Sequence, residues 1–136
     1  MTRWLADTIM SVPAIIENHP AHDTVSAWLS ERPTVLAAHS ALETYSVLTR
    51  LPGDARLAPS DAAAIMAERF GQPIVLPAER ARGLVDDFAR LGIAGGAVYD
   101  ALIAVTADVD GRVLITRDLR AAATYSLVNV THEFVG

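Results

Sequence analysis

The chain contains no cysteine. That excludes a disulfide framework, a thiolate zinc site and a cysteine nucleophile. Lysine is absent too: all 11 basic residues are arginine. Neither a P-loop nor a G-x-G-x-x-G fingerprint occurs, so nucleotide cofactors have no support, and without a G-x-S-x-G elbow neither has a serine hydrolase. Long apolar runs are missing. The longest stretch free of charge is the twelve residues from Ala121 to His132, broken by Thr, Ser and Asn, whereas a membrane span needs about 20 mostly apolar residues. Met1 to Asp7 lacks the apolar core of a signal peptide. There is no basic surplus: 16 acids against 11 arginines leave a net charge of −5. This argues against a general nucleic-acid coater but not against an enzyme acting on nucleic acid, because acids gathered around a cation make net charge misleading. What is present is a folding composition, 51% hydrophobic and 20% charged over 136 residues. The expectation is one domain spanning residues 1–136, soluble and cytoplasmic.

The hydropathy pattern alternates short apolar runs with helical periodicity. Trp4 to Ala6 reads as a first strand, followed by helical spacing through Ile9, Met10, Val12, Ile15 and Ile16, where Pro13 predicts a kink or early turn. Asn18-His19-Pro20 breaks that segment, and helix resumes over 21–30. Thr34 to Ala38 reads as a buried strand; Ser40 opens a helix that Pro52-Gly53 ends; Ser60-Asp61 caps another helix to about Phe70. Ile74 to Leu76 reads as a short strand or extended piece, then Ala78 to Leu91 as one helix. After the glycine-rich loop 92–96 come a helix over 97–109, a strand over 112–116, a short helix over 119–125 and a last strand over 127–131. This alternation implies an α/β domain with a short, mainly parallel sheet of four to five strands and helices on both faces.

Ligands of such sheets bind beyond the carboxyl ends of the strands. Asp7 follows the first strand, Glu43 lies in the first turn of the helix after the second, Asp118 follows the strand at 112–116, and Asp100 opens the helix after the glycine loop. Each acid has a purely structural explanation. Asp7 and Asp118 suit helix N-caps. Ser40 with Glu43 matches a capping box, and Asp100 suits a helix N-terminus. Taken together they mean more. Carboxylates at one sheet edge repel one another unless a cation joins them. Hard divalent cations such as Mg²⁺ or Mn²⁺ take oxygen ligands, and carboxylates around them form phosphoryl-transfer or nuclease centres. His19 and His22 sit in a polar turn without an obvious third ligand and read as surface histidines. His39 falls either near the acids or at a strand end.

At this point the chain resembles the PIN-domain ribonucleases, in particular the VapC toxins of bacterial toxin–antitoxin pairs. The resemblance covers nearly the whole chain. It rests on Ala6-Asp7-Thr8, His19-Pro20, the block Ala41 to Pro52 around Glu43, Gly95 to Leu102 around Asp100, and Leu114 to Asp118. Arg3-Trp4-Leu5-Ala6 is short for the family's first strand, and Ile9-Met10-Ser11 departs from its usual pattern. The resemblance implies a three-layer α/β/α PIN-like domain and Mg²⁺- or Mn²⁺-dependent endonucleolytic cleavage of RNA, leaving 5′-phosphate and 3′-hydroxyl ends. It carries the acidic quartet onto Asp7, Glu43, Asp100 and Asp118. Asp7 and Asp100 are then direct metal ligands. Asp118 acts through water or holds a second metal, and Glu43 contacts the metal or positions the attacking water. Thr8 and Thr116 are the helper hydroxyls.

Arg117 and Arg50 are candidates either to steady a phosphate or to pair with the acids, with Arg117 ranked first. The family relation further implies a homodimer and a VapB-type antitoxin lying in a groove to which Ile9, Met10, Ile15 and Ile16 contribute, although core burial is the ordinary fate of such side chains. Two other classes compete. A non-catalytic PIN-like module would bind RNA or a protein partner, but has no reason to keep four mutually repelling acids. A phosphoacceptor receiver domain uses a lysine, which this chain lacks.

Overall fold

The computed structural model describes residues 1–136. Its strands are β1 (Trp4–Ala6), β2 (Thr34–Leu36), β3 (Val113–Thr116) and β4 (His132–Phe134). They form one parallel sheet in the order β2-β1-β3-β4. The helices are α1 (Thr8–Ile15), α2 (His22–Leu29), α3 (Ala38–Thr49), α4 (Pro59–Phe70), α5 (Ala78–Arg82), α6 (Leu84–Leu91), α7 (Ala97–Val109) and α8 (Leu119–Leu127).

Side-chain alternation along the strands builds the two cores. Ala6 and Ile115 point into a cluster with Met10, Val25, Leu36 and Leu48, covered by α1 to α4. Their neighbours Leu5 and Leu114 point the other way, into a cluster with Ile103, Ala107 and Tyr125 from α7 and α8. The result is the three-layer α/β/α arrangement. Because β1 leads to β2 on one side while β3 leads to β4 on the other, the connections diverge between β1 and β3. A crevice opens at such a switch point, beyond the carboxyl ends of the strands.

The structure corrects several boundaries. α1 runs through Pro13 without breaking. α3 starts at Ala38, so Ser40 lies inside its first turn and its hydroxyl donates to the Ala37 carbonyl (3.1 Å); the capping box with Glu43 does not form. α4 begins on Pro59, a residue suited to the first helical position, and its N-cap Ala58 supplies no side-chain bond. The single helix expected over 78–91 is two, meeting at Gly83. Ile74 makes one parallel bridge to Ala37 in place of a strand. α8 continues to Leu127, Asn129 turns the chain with φ +59°, and the last strand falls at His132–Phe134 instead of 127–131.

A hydroxyl lattice fixes α1 against α3. The buried Thr44 donates to the Ser40 carbonyl (2.7 Å) and accepts from Ser11 (2.6 Å). No buried side-chain nitrogen or oxygen is left without a hydrogen-bond partner, as a well-packed interior requires.

Candidate active site

The crevice at the switch point is where the acids meet. Asp7 directly follows β1, and its backbone N–H donates to the Ile115 carbonyl of β3 (3.2 Å), which anchors it between the central strands. Its side chain is only 4% exposed. Oδ1 accepts from the Met10 N–H at 3.3 Å, capping α1, and Oδ2 accepts from the Tyr125 hydroxyl at 2.9 Å. Burial raises the Asp7 carboxyl from 3.8 to about 6; the Thr116 and Tyr125 hydroxyls and the Met10 N–H oppose that rise, and the charge of Asp100 adds to it. Burial, then the Asp7 charge, pushes the Tyr125 hydroxyl well above its ordinary range. It therefore stays protonated and acts as a donor.

Asp100, in the first turn of α7, is also held above the ordinary carboxylate range. Burial is the main cause, followed by the charges of Asp118 and Glu43, with Arg120 opposing. Asp118 caps α8, its Oδ1 accepting from the Arg120 N–H (2.9 Å), while its own N–H donates to the Thr116 hydroxyl (2.9 Å). Thr116 is the buried last residue of β3. Glu43 Oε1 accepts from the Thr8 hydroxyl (3.1 Å) and lies 3.5 Å from His39 Nε2. So Asp7 and Asp118 do cap helices, and the same two carboxyls stand at the acid edge; the two readings are compatible.

The four acids share one field without forming a closed cage. No group of three or more His, Asp or Glu side chains is gathered closely enough to hold a metal ion as the side chains stand. The cause is visible in their partners. Asp7 is turned to Met10 and Tyr125, and Asp118 to Arg120. Like charges without a counter-ion also spread apart. By chemistry the set still fits a hard divalent cation: every donor is oxygen, and Mg²⁺ is bound by one or two carboxylates while keeping several waters.

The cation beside Asp118 is not the expected one. Arg120 Nε lies 3.5 Å from Asp118 Oδ1, on a side chain 94% exposed. Arg117 and Arg50 form no ion pair with any acid. Arg50 is exposed at the end of α3. Arg117 lines a groove of about 560 Å³ with Thr8, Ile9, Val12, His19 and Val47. Of the four apolar residues expected at a partner groove, Ile9 lines it; Met10 and Ile15 are in the core and Ile16 packs against that core. His22 donates from Nδ1 to the Pro13 carbonyl (2.7 Å) and accepts at Nε2 from Ser26 (3.3 Å), and His19 Nδ1 accepts from the Ala21 N–H (3.0 Å). Both histidines therefore brace a turn.

Sequence reasoning missed Tyr125. The available signal was a lone tyrosine in an apolar row, since a buried tyrosine needs a partner for its hydroxyl. It also left open the position of His39, which stacks on Tyr99, the neighbour of Asp100.

Comparison with known proteins bears on the family and the fold. The PIN domain family profile matches residues 7–127. The chain is 46% identical over 124 residues to Ribonuclease VapC27 of Mycobacterium tuberculosis (strain ATCC 25618 / H37Rv), covering 91% of this chain and 90% of that one. It is 42% identical over 130 residues to Ribonuclease VapC40 of Mycobacterium tuberculosis (strain CDC 1551 / Oshkosh), covering 95% and 96%. Among solved structures, VapBC2 from Rickettsia felis bound to a promoter DNA fragment superposes with a TM-score of 0.70 at 15% identity, covering 98% of each chain. No helix is long and apolar enough to cross a membrane.

Proposed function

The chain belongs to the PIN domain family, and from that membership we propose that it is an Mg²⁺- or Mn²⁺-dependent endoribonuclease, the toxin of a VapBC-type toxin–antitoxin pair. The observation that carries this reading is the convergence of Asp7, Glu43, Asp100 and Asp118 on the crevice between β1 and β3, where burial and mutual repulsion raise Asp7 and Asp100. The relatives named ribonucleases at 42–46% identity support it.

Asp7 and Asp100 are the residues that would hold the cation directly, with Asp118 acting through water or on a second ion. When bound, the cation supplies a water of lowered pKa and neutralises charge on the transferring phosphoryl group. The chain's own residues do the positioning. Thr8 pins Glu43 through Oε1, which leaves Oε2 to orient the attacking water and take its proton. Arg117, free of any carboxylate and beside Thr8 in the groove, holds the phosphate; its planar fork suits that anion. In-line attack leaves 5′-phosphate and 3′-hydroxyl ends. The same groove, whose lining mixes Ile9, Val12 and Val47 with Thr8 and Arg117, is the proposed seat of a VapB-type antitoxin segment, and the active protein is proposed to be a homodimer. tRNA or rRNA loops are the proposed substrates, because single-stranded loops expose their phosphodiesters and bases.

The test is incubation of purified, antitoxin-free protein with total tRNA and rRNA in Mg²⁺, Mn²⁺ or EDTA, beside Asp100→Asn. Discrete fragments that need metal and vanish in the variant are expected. A folded protein that cuts nothing in any metal would make it a binding module.

A further inference from the structure

The acid edge carries an aromatic feature that its metal chemistry does not use. Tyr99 lies in the first turn of α7, immediately before Asp100, and is parallel to the imidazole of His39 on α3, with ring centroids 5.1 Å apart and planes within 5°. His39 in turn faces Glu43, its Nε2 3.5 Å from Oε1. Two helices therefore bring a stacked pair of rings beside two of the four acids. One broad face of Tyr99 is covered by His39, yet the residue remains 54% exposed. Packing does not account for it. Ala101 and Ile103, further along α7, are buried in two separate clusters, while Tyr99 projects from the core.

An open aromatic face next to a phosphodiester-cleaving centre has a specific complement. Unpaired RNA bases splay out and stack on aromatic side chains, and this stacking tolerates any base because every base has a π-face. Resting on the ribonuclease reading above, we propose that Tyr99, backed by His39, is the stacking platform for an unpaired nucleobase flanking the cleaved phosphodiester. Glu43 joins the platform to the groove containing Arg117: its Oε1 lies 3.5 Å from His39 Nε2 and accepts from Thr8, which lines that groove. A strand seated in that groove thus reaches the ring pair past Glu43. Stacking on Tyr99 fixes the register of the strand without reading its sequence.

The experiment uses a single-stranded oligoribonucleotide that the protein cleaves, and versions with an abasic residue at each nucleotide flanking the scissile bond. Tyr99→Ala is expected to raise KM about tenfold, with kcat changed by less than about threefold. Its Mn²⁺ affinity by calorimetry and its Tm should match the wild type, which separates a lost base contact from a damaged site or fold. Tyr99→Phe, which keeps the π-face, should recover most of the loss. One abasic position should raise the wild-type KM to the same extent and have no further effect on Tyr99→Ala. A Tyr99→Ala protein with wild-type KM, or equal abasic penalties in both proteins, overturns the platform while the nuclease stands. Wild-type RNA kinetics combined with weakened binding of a protein partner would reassign the ring to that partner and overturn the proposal. A wild-type protein that cleaves no RNA removes the ribonuclease reading and the platform together.

Discussion

The hydroxyl of Tyr125 donates to Asp7 Oδ2 across 2.9 Å, joining residues 118 positions apart in the chain. The bond does two things. It satisfies a tyrosine that is completely buried, and it orients a carboxyl that is itself almost completely buried. Under the proposed function, such a partner one step behind a carboxylate that holds the cation would set its direction and basicity.

Replacing Tyr125 by Phe removes that donor at nearly constant volume. The loss of a hydrogen bond to a charged group costs about 1.5–3 kcal/mol of stability. Because the hydroxyl lowers the Asp7 pKa, the carboxyl should titrate above its present value in the variant. Urea denaturation reads the first effect and carboxyl NMR titration of the metal-free protein reads the second. An Asp7 titration unchanged by Tyr125→Phe would reduce the tyrosine to packing.

Asp7 itself destabilises the metal-free fold at neutral pH. Its folded pKa, about 6, lies above the ordinary 3.8, so the folded state holds the proton more tightly than the unfolded one. The resulting stabilisation is fully present below pH 3.8 and is lost as the pH rises through about 6. Asp7→Asn should therefore be more stable than wild type at pH 7.5 in EDTA, by up to about 3 kcal/mol. The advantage should shrink on acidification and disappear near pH 3.8. Denaturation curves at several pH values check both sign and window.

Arg117 and Arg50 should separate in activity. Arg117 lines the groove beside Thr8 and is spent on no acid. Arg117→Ala should lower kcat/KM by about 10- to 100-fold, the worth of one charge-assisted phosphate contact. Arg50 is exposed at the end of α3 and does not itself line that groove, and Arg50→Ala should have the smaller effect. Parallel kinetics on one oligoribonucleotide decide it; an equal loss in both would place Arg50 on the RNA as well.

Thr44→Val tests the lattice between α1 and α3. It keeps the shape but removes the shorter of Ser11's two hydrogen bonds, leaving the one to the Thr8 carbonyl (3.3 Å), and removes the side-chain donor to the Ser40 carbonyl. A cost of about 0.5–1.5 kcal/mol is expected, the net worth of a buried hydrogen bond whose partners keep a second one. Since that lattice sets the spacing of Thr8 from Glu43, cleavage should fall further than the loss of folded protein explains.

The acids were legible because their positions follow from strand ends. A carboxylate just beyond β1 or β3 has to emerge at the crevice, whatever the surrounding packing. Local signals with two meanings were harder. Ser40 and Glu43 have capping-box spacing, but α3 begins two residues earlier, at Ala38, and the pair falls inside the helix. The apolar row through Leu127 reads as either helix or strand, and α8 takes it; β4 is then built from His132, Glu133 and Phe134, a strand with no apolar alternation to announce it. Tyr125 and the His39–Tyr99 stack were invisible for another reason. Their partners lie far along the chain, and no periodicity reports a contact of that range.

The placement of β1 has a consequence for the order in which the molecule can be assembled. β1 lies inside the sheet, and one of its two neighbours is β3, over a hundred residues downstream. During synthesis the first strand has β2 to pair with long before β3 exists, so one of its edges and one wall of the crevice wait for the last quarter of the chain. Such long-range pairing is slow to form. The acid edge is therefore among the last features to appear on a nascent chain, and a ribosome-bound fragment ending before Val113 carries Asp7, Glu43 and Asp100 without the strand that brings Asp118 to them.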